Sequence, residues 1–232
     1  MKLETRNQKP ETGVVRAAYA DVDGTLARTN IVGPLIYFHR RILRPVLREL
    51  WLVSLPPRGM YWLLLDKLSR EASNRAIYAC YADLEAARVK GMAHDCYRDF
   101  WKPRLFPRAL ERMKALREAG VQLVLVTGSI DFLVEPLARE IGAELIAPRL
   151  EEKAGLFTGS LQGPPLAGRH KAEAVRKHAA GHGVELSASF AFGDAIGDLP
   201  MLECVGHPEA VNPGRRLKAV AHKRGWPIQN WA

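Results

Sequence analysis

The chain has 232 residues, of which 47% are hydrophobic and 25% charged, and a formal net charge of +9. That length and apolar content suit one globular α/β domain with an accessory module, and exclude a disordered or fibrous chain. Three cysteines, Cys80, Cys96 and Cys204, are an odd number without metal-ligand spacing; together with a polar opening stretch, Met1 to Gly13, expected to be frayed and to lack a signal peptide, they point to a reducing, cytoplasmic setting.

The first predicted strand, Val14 to Ala20, runs into Asp21-Val22-Asp23-Gly24-Thr25. Side chains two apart on an extended segment point the same way, so Asp21 and Asp23 can converge on one centre while Gly24 turns the backbone. Two close carboxylates repel unless a cation lies nearby, and a hard divalent ion with oxygen ligands relieves that cost, so Mg2+ is expected. Taken alone, the pentapeptide also fits a plain Asx turn leaving a strand.

About a hundred residues then separate Asp21 from the next strand end, far more than a crossover in a doubly wound sheet needs, so something is inserted. The stretch from Ile31 to Lys102 has helical character: Pro34 to Leu43, Val46 to Trp51, Met60 to Leu68, and a longer run from Ser73 to Val89, punctuated by Pro56-Pro57 and Gly91. Between Arg28 and Arg70 stand eight basic and two acidic residues, a surplus of six, interleaved with Trp51, Tyr61, Trp62 and many leucines. The favoured reading packs the leucines and tryptophans against the core, with the arginines solvated. Two alternatives are a helix pair resting on anionic lipid, and inward arginines that bind an acidic substrate. No uncharged run approaches the ~20 residues of a membrane span.

The core resumes near Pro107 with a predicted helix from Ala109 to Glu118, ended by Gly120. A second apolar strand, Val121 to Val126, leads to Thr127-Gly128-Ser129, a hydroxyl and open amides at another strand end. Next come a helix from Phe132 to Ile141, broken mildly at Pro136, a short strand Glu144 to Ile146, and a small hairpin around Phe157 to Leu161. Lys171 opens a helix running to Ala180. A third apolar strand, Ala188 to Gly193, ends at Asp194-Ala195-Ile196-Gly197-Asp198, and helices from Leu199 to Cys204 and Arg216 to Arg224 follow. In a parallel sheet these strand ends fall on one edge, where open α/β sheets place their ligands. His170 reads as a solvent-facing helix-start residue, and His178, His182, His207 and His222 as surface residues without ligand spacing.

Asp21 to Leu26, Thr127 to Ser129, Lys171, and Gly193 to Leu202 stand in the order of the four motifs of the haloacid dehalogenase superfamily. From residue 14 to 228 the chain resembles phosphatases of that superfamily, in the subfamily that includes phosphoserine phosphatase. The resemblance implies a Rossmannoid three-layer sandwich, a parallel sheet with helices on both faces, plus an inserted all-helical C1-type cap. It divides the chain into a core of residues 1–30 and 104–232 and a cap of residues 31–103.

It also implies a phosphoric monoester hydrolase. Asp21 would attack phosphorus to form an aspartyl phosphate, and Asp23 would act as general acid and base. Mg2+ would be held by Asp21, Asp23 through its backbone carbonyl, and Asp194, with Asp198 in support. Thr127, Gly128 and Lys171 would hold the phosphoryl oxygens. Two positions depart from the family pattern. Asn30 stands where phosphoserine phosphatases place an acidic residue for the substrate ammonium, and Gly197 and Ala195 replace residues of the last motif. These changes bear on specificity, so a small phosphorylated metabolite other than phosphoserine is the expected substrate. A lipid-phosphate phosphatase held on anionic membrane through its basic cap is the alternative. A non-catalytic nucleic-acid binder is disfavoured, because the acidic constellation is complete and no nucleic-acid motif is present.

Overall fold

The computed structural model describes residues 14–232; Met1 to Gly13, expected to be frayed, lies outside the described residues. Strand β1 (Ala17–Ala20) lies inside a six-stranded parallel sheet with β2 (Gln122–Val126), β3 (Glu144–Ile146), β6 (Phe190–Gly193), β7 (His207–Val211) and β8 (Ile228–Gln229), in the order β3-β2-β1-β6-β7-β8. Register runs Ala20 to Leu125 on one side of β1 and Ala20 to Phe192 on the other, which sets the ends of all three strands level. Strands β4 (Leu150–Lys153) and β5 (Leu156–Leu161) form the predicted antiparallel hairpin apart from this sheet.

Alternation along the strands sorts side chains into two buried layers. Ala18, Ala20, Leu123 and Leu125 face one layer, with Met113 of α7 (Pro107–Glu118) and Leu137 of α8 (Asp131–Ile141). Ala17, Tyr19, Val124 and Val126 face the other, with Val175 of α9 (Arg169–His182), Met201 of α10 (Leu199–Leu202) and Leu217 of α11 (Arg215–Arg224). Helices therefore cover both faces of the sheet, as expected. Pro107 occupies the first turn of α7, where its missing N–H costs nothing. The α8 helix runs through Pro136 without interruption.

The chain leaves and re-enters the core along two adjoining segments: Arg28 N–H donates to the Arg104 carbonyl (2.8 Å), and Phe106 N–H to the Leu26 carbonyl (2.9 Å). Between them lie α1 (Val32–Ile42), α2 (Pro45–Val53), α3 (Leu55–Leu68), α4 (Arg70–Tyr78), α5 (Ala86–Gly91) and α6 (Ala93–Cys96), the last prolonged by tight and wide turns to Arg104. Leu35, Phe38, Tyr78 and Tyr81 join these helices to the first buried layer. No helix among the described residues is long and apolar enough to cross a membrane.

Pro56 and Pro57 punctuate the insert as expected: they sit in the first turn of α3, directly after α2 ends at Val53, where unbonded N–H groups are normal. Two expectations about the insert are corrected. The run from Ser73 to Val89 is not one helix. Asp83 N–H donates to the Phe157 carbonyl, Phe157 N–H to Leu84, and Ala86 N–H to Gly155. The edge of β5 claims that backbone, and Asp83 takes φ 64° at the break. Most apolar residues of α2 and α3 do not pack against the core: Leu55 does, but Val46, Leu47, Leu50, Val53, Met60, Tyr61, Leu63, Leu64 and Leu68 are all exposed. Trp62 is buried as expected, and Trp51 stacks on the buried His39 ring at 4.0 Å.

Candidate active site

Because β1, β2 and β6 end level, their following loops meet over one cavity of about 900 Å3, lined by Asp21, Asp23, Gly128, Lys171, Asp194 and Asp198 among others. Asp21 is fixed at the strand end by its N–H, which donates to the Phe192 carbonyl (2.9 Å). The chain then turns back on itself: Leu26 and Ala27 N–H groups both donate to the Val22 carbonyl, and Gly24 N–H to Ala27. Gly24 adopts φ +87°, and a Cβ there would lie 2.6 Å from Asp194 Cγ. Only glycine fits both the backbone and the approach of the acid loop.

Lys171, in the first turn of α9, is the electrostatic hub. Its Nζ lies 2.5 Å from Asp21 Oδ1 and 2.6 Å from Asp198 Oδ1, with all three side chains 7% exposed or less. Burial opposes the charge on Lys171, but Asp198 and Asp21 outweigh it and hold the ammonium above its usual range. Burial likewise pushes the Asp21 carboxyl well above the usual carboxylate range, with Lys171 opposing and Asp198, Asp194 and Asp23 adding to the rise. Asp194 is pushed up to about 7, by burial first and by the Asp198 charge second.

Asp21, Asp194 and Asp198 offer oxygens that all lie within 4.8 Å of one another. Three crowded carboxylates against one ammonium leave a surplus of negative charge, and an all-oxygen donor set of this kind suits a small hard cation such as Mg2+. The Asp23 side chain belongs to the cavity but not to that cluster. Its Oδ2 accepts from Ser129 Oγ at 2.6 Å, while its Oδ1 is buried with no partner, and burial raises its pKa against the hydrogen bond from Ser129. A carboxyl whose neutral form burial favours, with one oxygen facing no protein group, suits a proton donor.

Thr127 is fully buried, and its Oγ1 accepts the Ser129 N–H (3.0 Å), so its hydroxyl proton is left to donate elsewhere; Gly128, not Thr127, forms the cavity wall. The Gly128 carbonyl accepts from the buried Tyr78 hydroxyl, a link from the insert into this loop. Asn74 and Arg216 escaped the sequence reading, whereas Arg70 belongs to the basic run for which inward arginines are one alternative. Arg70 and Asn74 of α4, and Arg216 of α11, line the cavity, and Arg70 pairs with Asp66 at 2.8 Å. Only the capping serine Ser69, whose side chain accepts from Ala72 N–H, marks this segment in the sequence. Asn30 serves as a helix cap: its Oδ1 accepts the N–H groups of Val32 and Gly33, each at 3.0 Å.

The histidine reading is corrected in part. His178 is buried, with Nδ1 at 3.0 Å from the Tyr19 hydroxyl and Nε2 at 3.2 Å from Glu144, and with His182 stacked on it at 4.2 Å. Strand pairing brought Glu144 to a helix with which it shares no sequence spacing. His170 is mostly covered and faces Glu71 at 3.2 Å.

Residues 18–203 match the family model described as haloacid dehalogenase-like hydrolase. A probable phosphatase of Mycobacterium tuberculosis is 36% identical over 152 residues, covering 65% of this chain and 53% of the relative. The chain thus spans about half the length of such curated relatives. Among solved structures, a protein of unknown function from Bordetella pertussis Tohama I superimposes with TM-score 0.80 at 26% identity, over 95% of this chain and 100% of that one. A phosphoserine phosphatase solved as a phospho-aspartyl intermediate analogue superimposes with TM-score 0.70 at 22% identity, over 95% of each chain.

Proposed function

The chain belongs to the haloacid dehalogenase-like hydrolase family, and from that premise we propose that it is a phosphomonoester hydrolase working through Asp21. The observation that carries this reading is the buried Lys171 bridging Asp21 and Asp198 on the floor of the cavity that also holds Asp23. Lys171 aligns Asp21 Oδ1 and offsets its charge, so a phosphate dianion can approach an anionic nucleophile. Asp21 attacks phosphorus; the bond from phosphorus to the ester oxygen breaks, and Asp23 gives that oxygen its proton. Water then attacks the aspartyl phosphate while Asp23, now ionised, takes the water proton, and phosphate leaves with Asp21 restored.

Thr127, the Gly128 amide and Lys171 hold the phosphoryl oxygens. Asp21, Asp194, Asp198 and the Asp23 backbone carbonyl would hold Mg2+, which would supply positive charge to those oxygens. Among the described residues, 14–30 and 104–232 form the catalytic core and 31–103 a cap, with the paired segments at Arg28 and Arg104 as its stem. Asn30 presents a neutral amide already engaged in capping α1, which favours substrates other than phosphoserine.

Hydrolysis of para-nitrophenyl phosphate with and without Mg2+ tests the reading. Asp21→Asn keeps the size of the side chain and removes the nucleophile, so turnover should fall at least about 10^3-fold with an unchanged circular dichroism spectrum. Absence of wild-type turnover with every divalent metal tried, or a near-normal rate in Asp21→Asn, overturns it.

A further inference from the structure

Among the described residues, nine of the eleven large exposed apolar side chains fall between Val46 and Leu68. On α2 they are Val46, Leu47, Leu50 and Val53, spaced as one helical stripe; Met60, Tyr61, Leu64 and Leu68 repeat the pattern on the adjoining α3. Leu50, Val53 and Leu68 are 64%, 75% and 85% exposed. Exposure on this scale across two neighbouring helices marks a surface with a partner.

The charge of this surface selects the partner. Exposed Arg40 closes α1, exposed Arg44 opens α2, and exposed Lys67 stands at the end of α3; Arg41 is held by Asp99 at 3.5 Å, and Glu49 and Asp66 are engaged by Arg48 and Arg70. A second copy of the chain would bring like charge against like charge; an anionic bilayer complements both the cations and the apolar stripes. The inner side of α3 leads directly to the cavity. Leu55 and the buried Trp62 of α3 line it, with Ile36 and Ile77 from neighbouring helices, while the exposed Leu63 and Leu68 stand at its edge, so the cavity opens beside the exposed stripe. The cavity volume of about 900 Å3 lies toward the upper end for small-molecule sites and leaves room for an apolar body beside the phosphate.

We propose that the α2–α3 face seats the protein on an anionic lipid surface, and that the cavity receives from it a phosphomonoester carried on an apolar body. The substrate half rests on the phosphatase reading above. Sedimentation with vesicles of equal phosphatidylglycerol and phosphatidylcholine at low salt should carry the protein down, pure phosphatidylcholine vesicles should not, and added salt should weaken binding. The double variant Leu50→Glu, Leu64→Glu alters exposed positions that do not line the cavity. It should bind the anionic vesicles at least tenfold more weakly and hydrolyse para-nitrophenyl phosphate at the wild-type rate. The wild type should prefer lysophosphatidate to glycerol 3-phosphate at least tenfold in kcat/KM.

No sedimentation with anionic vesicles, or equal binding by the variant, overturns the docking surface. So does a dimer in light scattering that the variant dissolves, because a second copy then covers the face. Equal kcat/KM for the two phosphates overturns the apolar substrate. Vesicle binding by a protein inert toward para-nitrophenyl phosphate would instead sink the phosphatase reading and leave the docking surface standing.

Discussion

Lys171→Met replaces the ammonium that bridges Asp21 and Asp198 with an apolar chain of similar length. Those three side chains are 7% exposed or less, so the two carboxylates lose their common partner with almost no water to replace it. Removing one member of a buried ion pair costs ~3–5 kcal/mol. In a domain of this size that lowers Tm by roughly 6 to 20 °C. Because the folded-state pKa of Lys171 is raised, its stabilisation is fully present below the usual lysine pKa and is lost only above it, so neutral pH shows the whole effect. The deficit should shrink on acidification, where Asp21 and Asp194, both raised by burial, take up protons and no longer need the cation. Mg2+ should restore part of the loss at neutral pH. Thermal denaturation followed by circular dichroism, with EDTA and then with Mg2+, measures all three. A variant with wild-type Tm in EDTA at neutral pH would refute the picture of an ionised, charge-hungry cluster.

Two further outcomes follow from particular contacts. Asn30→Asp keeps both capping bonds to α1 and adds the charge that a substrate ammonium requires, so kcat/KM for phosphoserine should rise about tenfold, the worth of ~1.4 kcal/mol, with no loss of Tm; an unchanged ratio of phosphoserine to para-nitrophenyl phosphate would count against Asn30 as a selector. His39 is buried, stacks on Trp51 and has its pKa lowered by burial. Its contribution is therefore present above the ordinary histidine pKa and is lost as pH falls through the lower folded value. Tryptophan emission should hold near neutral pH and drop only as pH falls below the ordinary histidine value, since a protonated imidazole would lie against the indole, and Trp51→Phe should remove most of the change. Emission that is pH-independent below that value would show that His39 does not take a proton there.

Strand ends were the readable part of this chain because the chemistry and the fold coincide there. The apolar runs before Asp21, Thr127 and Asp194 each mark a strand, and a parallel sheet leaves their ends on a single edge. By contrast β7 was missed: His207-Pro208-Glu209 opens it without an apolar run, and its Glu209 is buried where Arg112 of α7 (2.6 Å) and Gln229 of β8 (3.0 Å) both donate to it. Nothing near position 209 announces an arginine so far away. The two-residue strand β8 is too short for any periodic signal. In the insert, helical spacing predicted helices but not which stripe would be covered. Leucines at positions 47, 50 and 64 look alike in sequence whether they meet a core or face outward, and that choice lies in tertiary packing. The capping role of Asn30 was invisible as well, since a residue that caps carries no mark distinguishing it from one that faces a ligand.

The middle position of β1 also governs when the protein can become itself. Ala17 to Ala20 pair with partners that begin at Gln122 and Phe190, so a nascent chain carries its nucleophile for most of synthesis with no sheet to place it in. The helices emerging in between make mostly local contacts and can form early on the ribosome, whereas the long-range closures come last and limit the rate. Destabilising β6 should therefore delay the gain of activity during refolding more than the gain of helical signal.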